Sequence, residues 1–204
     1  SASELQDKGV LAQCHVNILQ TEEYSEFTDY QKELKYLTTN SDRLDYIARQ
    51  IKEISSSGNT LILVDRVECG KGLQARLSDI FSVIADAPDV AFVNSNMKSD
   101  DRKEHYDDVA EMDDKVIVAT YGVAAVGINI PRIFNLVLVE PGKSFVRVIQ
   151  SIGRGIRKAE DKDFVQIWDI TSTCKFAKRH LTTRKKYYKE AKYPFSLEKV
   201  DWQK

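Results

Sequence analysis

The stretch Val116-Ile117-Val118-Ala119-Thr120-Tyr121-Gly122-Val123-Ala124-Ala125-Val126-Gly127-Ile128-Asn129-Ile130-Pro131 decides how the rest of the chain is read. It opens on a short apolar strand, passes through a small-residue segment and ends in a turn at Gly127 and Pro131. A second apolar run, Leu136-Val137-Leu138-Val139, comes next and closes on Glu140-Pro141-Gly142. Ser144 is then placed to cap a helix that carries Phe145, Val148, Ile149, Ile152 and Ile156 on one side. At about 100° per residue, Arg147, Gln150, Arg154 and Arg157 fall on the opposite side, within roughly 80° of one another. Gly153 and Gly155 flank this stripe, where missing side chains let a ligand or backbone approach closely. A row of guanidiniums beside glycines suits phosphate, which the planar fork binds bidentately. The plainer alternative is an amphipathic helix with a solvated arginine row.

Ligands of open α/β sheets bind at the carboxyl ends of strands, and both segments start just after strands. In this position, Thr120 and Gly127-Ile128-Asn129-Ile130-Pro131 resemble motif V of superfamily 2 helicases. Gln150-Ser151-Ile152-Gly153-Arg154-Gly155-Ile156-Arg157 resembles their motif VI, and the run from Asn59 to Leu73 their motif IV strand and helix start. The likeness is to phage recombination-repair helicases of the UvsW kind and to helicase subunits of restriction enzymes. It covers residues 4–170 and only the second of the family's two RecA-like domains.

The resemblance implies an α/β, three-layer domain with a parallel RecA-like sheet flanked by helices. It implies that residues 1–20 are the exit from a first motor domain, residues 21–172 the RecA-like domain, and residues 173–204 a basic helix and tail packed on it. It further implies ATP and Mg2+ held mainly by the preceding domain. Arg154 and Arg157 would reach the γ-phosphate, Gln150 would orient water or a phosphate oxygen, and Gly127, Asn129 and Gly153 would line the nucleotide. Thr120, Arg66, Gly70 and Lys71 would touch the DNA track, whether single-stranded, branched or an RNA–DNA hybrid. Asn129 departs from the acid that many relatives carry there, and Asn94-Ser95-Asn96 lacks their loop glycine.

Composition agrees with one globular domain: 204 residues, 42% hydrophobic and 30% charged, with net charge −1. Without a global basic signature, nucleic-acid contacts must come from local patches. Three cysteines far apart argue against a disulfide framework and for a reducing cytoplasm. They lack CxxC spacing, and the three histidines do not complete a zinc set. No apolar run approaches the length of a membrane span, and no signal peptide is recognisable. Ser1-Ala2-Ser3 reads as a cloning remnant, and thus the chain as a cut-out fragment.

Along the chain, Cys14-His15-Val16-Asn17-Ile18-Leu19 alternates as an edge strand does. Residues 21–37 carry Phe27, Tyr30, Leu34 and Leu37 at helical spacing, and Asn40 caps a second helix that ends before Gly58. Leu61 to Val64 reads as a strand buried on both faces. Gly70-Lys71-Gly72 is not a phosphate loop, since Asp65 stands at the first glycine position and Gly72 replaces the hydroxyl. A helix N-terminus there could still meet a phosphate. Val90 to Val93 is a further strand, and Phe164 to Ile170 closes the series, with Trp168 in the core and Asp169 capping the segment after it.

Residues 175–192 hold Lys175, Lys178, Arg179, Arg184, Lys185, Lys186, Lys189 and Lys192 against the single acid Glu190. Tyr187 and Tyr188 lie among them, so the segment reads either as a solvated helix or as a patch for nucleic acid, with Lys178, Arg179, Arg184 and Lys185 as contacts. The function expected is the C-terminal motor domain of an ATP-dependent DNA helicase, inactive as a fragment because both Walker motifs are missing. The alternative is a non-catalytic nucleic-acid-binding module of helicase shape. A dinucleotide enzyme is excluded, since no Gly-x-Gly-x-x-Gly comes after the first strand.

Overall fold

The structure, a computed structural model, describes residues 13–86, 89–94, 101–103, 114–125, 133–142, 145, 149 and 164–204. Its elements in chain order are β1 (Gln13–Thr21), α1 (Tyr30–Thr39), α2 (Ser41–Ser55), β2 (Thr60–Val64), α3 (Val67–Phe81) and β3 (Val90–Val93). They continue with β4 (Val116–Thr120), α4 (Tyr121–Ala125), β5 (Asn135–Val139), β6 (Phe164–Ser172), α5 (Lys175–Glu190) and β7 (Phe195–Val200). The strands form one seven-stranded sheet in the order β3-β4-β2-β5-β6-β1-β7, and each neighbouring pair is parallel.

Alternation along the strands sends side chains to two separate cores. Leu61 and Leu63 of β2 join Ile117, Ala119, Leu136, Leu138, Leu181 and Tyr188 on the α4 and α5 side. Ile62 and Val64 join Val118, Val137, Leu44, Ile47, Ile51, Leu73 and Leu77 on the α2 and α3 side. β2, β4 and β5 are buried throughout, as strands covered by helices on both faces must be. The three-layer architecture expected from the sequence is therefore present.

Several boundaries differ from expectation. β1 is an inner strand, paired with β6 over nine residues and with β7 over six. Residues 13–20 are thus part of the sheet, and the edge belongs to β7, which lies within residues 173–204, expected from the sequence as a basic helix and tail. β7 carries a weak strand pattern because an edge strand buries little, and its middle four residues are exposed. α1 begins only at Tyr30, because the Asp29 side chain accepts from Lys32 N and caps it there. Phe27 precedes the helix and packs on Tyr36, ring centroids 5.2 Å apart. Asn40 caps α2 as expected, accepting from Arg43 N at 3.0 Å.

Candidate functional site

Because all the strands run the same way, their carboxyl ends share one edge of the sheet, where a ligand crevice is expected. Next to one another along that edge stand Thr120 at the end of β4, Asp65 and Arg66 after β2, Glu140 after β5, and Thr173 after β6. Thr120 is 9% exposed, and its hydroxyl oxygen accepts from Val123 N at 3.4 Å, starting α4. Tyr121 then reaches across β2 and donates its hydroxyl proton to Val139 O at 3.0 Å. It ties the segment after β4 to the end of β5.

The β5 end is held by two buried ion pairs. Glu140 adopts φ 47°, and its N–H donates to Ile170 O at 2.9 Å. Arg43 Nη2 donates to its carboxylate at 2.6 Å and to Thr21 Oγ1 at 3.2 Å. Arg43 also donates to Leu37 O and lies 3.4 Å from Glu23, so one fully buried guanidinium links α1, α2, β1 and β5. Burial pushes the Glu140 carboxyl up to about 7 against the pull of Arg43.

One step further along the edge, Asp169 of β6 receives Arg184 Nε at 2.8 Å and Nη2 at 2.9 Å, and the Tyr188 hydroxyl at 2.8 Å. The remaining Arg184 nitrogen donates to Pro141 O at 2.6 Å. Burial works against the guanidinium's charge, but Asp169 outweighs it and holds Arg184 above the ordinary arginine value. The turn after β5 is therefore gripped from both layers. Phe145, just beyond it, is 2% exposed and lies edge-on to Tyr187 and Tyr188, with the Arg184 guanidinium 5.9 Å from its ring centre.

These contacts correct two expectations. Arg184 is not a nucleic-acid contact: it is fully buried and every arm of its fork is used inside the fold. Gly70 is not a phosphate contact either. α3 starts at Val67, so the Gly70 N–H already donates to Arg66 O. A Cβ at that position would collide with the Phe92 ring, so the glycine lets α3 lie close on β3. Asp169 likewise pairs with Arg184 instead of capping α5. That helix is capped by Glu33 of α1, whose two oxygens accept from Phe176 N and Ala177 N, each at 2.9 Å.

Of the other residues singled out, Arg66 is exposed and donates to Gln31 Oε1 at 2.8 Å. Lys71, Lys178 and Arg179 are exposed, and Lys185 is half-buried. Arg66 and Lys71 lie toward the β2 and β4 end of the edge, and the α5 residues beyond β6. Gly127, Asn129, Gln150, Gly153, Arg154 and Arg157 lie outside the described residues. Sequence reasoning missed Arg43, Glu140, Tyr121 and Glu33. For Arg43 and Glu33, as for Arg184, the signal is a charged residue on the apolar face of a helix; Glu140 and Tyr121 carry no such signal.

Among the described residues no group of three or more His, Cys, Asp or Glu side chains is placed to hold a metal ion. None of the described helices is long and apolar enough to cross a membrane.

The family described as the helicase conserved C-terminal domain matches residues 42–159 of this chain. The chain is 28% identical over 195 residues to the ATP-dependent DNA helicase uvsW of Enterobacteria phage T4, a match covering 92% of this chain and 38% of that protein. The crystal structure of T4 UvsW is similar with a TM-score of 0.76 at 23% identity, covering 93% of this chain and 42% of that one. S. cerevisiae Dbp5, bound to RNA and ADP BeF3, is similar with a TM-score of 0.58 at 15% identity, covering 95% of this chain and 42% of that one. At these identities the structural likenesses show the fold alone. The chain spans well under half the length of these relatives.

Proposed function

From the premise that this chain belongs to the helicase conserved C-terminal domain family, of the superfamily 2 kind, we propose that it is the second motor domain of an ATP-dependent DNA helicase. The observation that carries the proposal is the braced carboxyl edge. The two segments that resemble motifs V and VI leave the sheet from β4 and β5, and Tyr121 joins those two strand ends. Arg43 and Arg184 hold the turn that leads into the second segment.

In this reading ATP, with the Mg2+ that would neutralise its phosphates, would be held mainly by a preceding RecA-like domain. This domain closes over the nucleotide and supplies Arg154 and Arg157 to the γ-phosphate, where charge spreads in the transition state. Gln150 orients the attacking water, and Gly127, Asn129 and Gly153 shape the nucleotide's surroundings. Thr120 couples that cleft to the DNA backbone, with Arg66 and Lys71 as further contacts. Closure and reopening move the domain along the strand. In the same reading its substrate is branched DNA, in recombination and repair.

The test is ATP turnover. Arg154→Ala or Arg157→Ala in a chain that includes the first domain lowers kcat by about 10³-fold or more, with DNA binding retained. Unchanged turnover in both variants refutes the arginine assignment and favours a nucleic-acid-binding module of helicase shape. The 204-residue chain alone does not hydrolyse ATP; measurable turnover from it would show that the nucleotide site is complete within this chain.

A further inference from the structure

A cleft of about 740 Å³ opens beyond β6, between the segment after β1 and the start of α5. Ser25, Phe27 and Thr28 line one wall, and Lys175, Lys178 and Arg179 the other. Its volume suits one or two nucleotide units, within the roughly 300–1,000 Å³ of ordinary ligand clefts. Two acids border it. Glu23 is committed elsewhere, accepting from Tyr36 Oη at 2.7 Å and Trp202 Nε1 at 2.6 Å beside Arg43. Glu26 is exposed at the rim. Lys175 and Arg179 rest over the Phe176 ring, 5.4 and 5.6 Å from its centre. The amides at the start of α5 are taken by Glu33, so an anion here would be recognised by side chains.

The cations continue out of the cleft along α5. By helical arithmetic Lys178, Lys189, Thr182, Lys175, Lys186 and Arg179 fall within about 100° of one another, opposite the buried Ala177, Leu181, Arg184 and Tyr188. All six are exposed. The stripe runs for about 21 Å at 1.5 Å per residue. A linear array of positive charge beginning in a cleft with an aromatic wall matches a linear polyanion with stackable bases better than a compact anion.

We propose that this cleft and stripe form a second track for a nucleic-acid strand, lying beyond β6 and apart from the Thr120, Arg66 and Lys71 end of the sheet. The proposal rests on the motor reading for its choice of partner. Lys178 and Arg179 hold phosphates at the cleft, Phe27 packs on a base, and Lys186 and Lys189 track the backbone outward.

The test is fluorescence anisotropy of the 204-residue chain with a labelled single-stranded 20-nucleotide DNA, from 50 to 200 mM salt. Reversing two phosphate contacts in Lys178→Glu/Arg179→Glu lowers the slope of log K against log salt by about 1.4 and weakens binding about 25-fold at 0.1 M salt. Lys178→Gln/Arg179→Gln shifts the slope in the same direction. Far-ultraviolet dichroism unchanged in both shows that α5 remains folded. DNA binding with an unaltered slope in both variants overturns the proposal. So does an acidic peptide that competes as well as the DNA, or no binding at 50 mM salt. Loss of binding in Lys71→Glu alone assigns the track to the other end of the edge and leaves the motor reading standing. That reading fails separately, through the turnover of the Arg154 and Arg157 variants.

Discussion

Asp169→Asn removes one charge from the interior and leaves its partner stranded. Asp169 and Arg184 are each fully buried, and the carboxylate accepts two bonds from the guanidinium and one from Tyr188. An amide of the same shape can accept at one atom only, so Arg184 keeps its charge, its bond to Pro141 O and little compensation. Breaking a buried pair from one side costs about 3–5 kcal/mol, because the remaining ion cannot return to water. For a domain of this size each kcal/mol moves the melting temperature by about 2–4 °C, so a fall of roughly 6–20 °C is expected. Thermal melts and urea titrations of the 204-residue chain measure it. The double variant Asp169→Leu/Arg184→Met recovers most of the loss, since it removes the stranded charge as well as the pair. A loss below about 1 kcal/mol in Asp169→Asn would refute the reasoning, since it would mean that water reaches Arg184.

Three further outcomes are expected from the same geometry. Glu140, pushed up to about 7 from 4.5, binds a proton in the folded chain that the unfolded chain releases. Its contribution is fully present below the unfolded value and is lost as pH rises through about 7, so Glu140→Gln flattens that part of a stability–pH curve; an unchanged slope between pH 5 and 7 contradicts this. Gly70→Ala drives a methyl into Phe92 and costs about 1–3 kcal/mol by overpacking; Phe92→Leu in the same chain recovers part of the loss in urea titrations, and no recovery would place the strain elsewhere. Burial pushes the thiols of Cys14 and Cys69 up to about 12 and that of Cys174 up to about 11. A thiol reagent at pH 8 therefore titrates none of the three in the native chain and all three in guanidinium; a fast-reacting native thiol counts against this burial.

The amino-acid order by itself determined the local elements. Apolar runs at 61–64, 116–119 and 136–139 became buried strands because alternation and continuous hydrophobicity depend only on near neighbours. Asn40 stopped and started helices where its side chain could cap. The same arithmetic also carried information that charge counting obscured. Arg184 shares the spacing of Ala177, Leu181 and Tyr188, so a charged residue stood on the core face of a helix read as a basic patch. Only the tertiary structure decided which strand lay at the edge, since β1 finds β6 about 150 positions away and β7 pairs only once β1 is in place. It alone chose the partners of the buried charges: Arg43 with Glu140 across 97 positions, and Glu33 with the start of α5 across 143. Such partners have no local period to announce them. A buried charge must find its counter-ion wherever the packed layers bring one, and that is settled when the sheet closes.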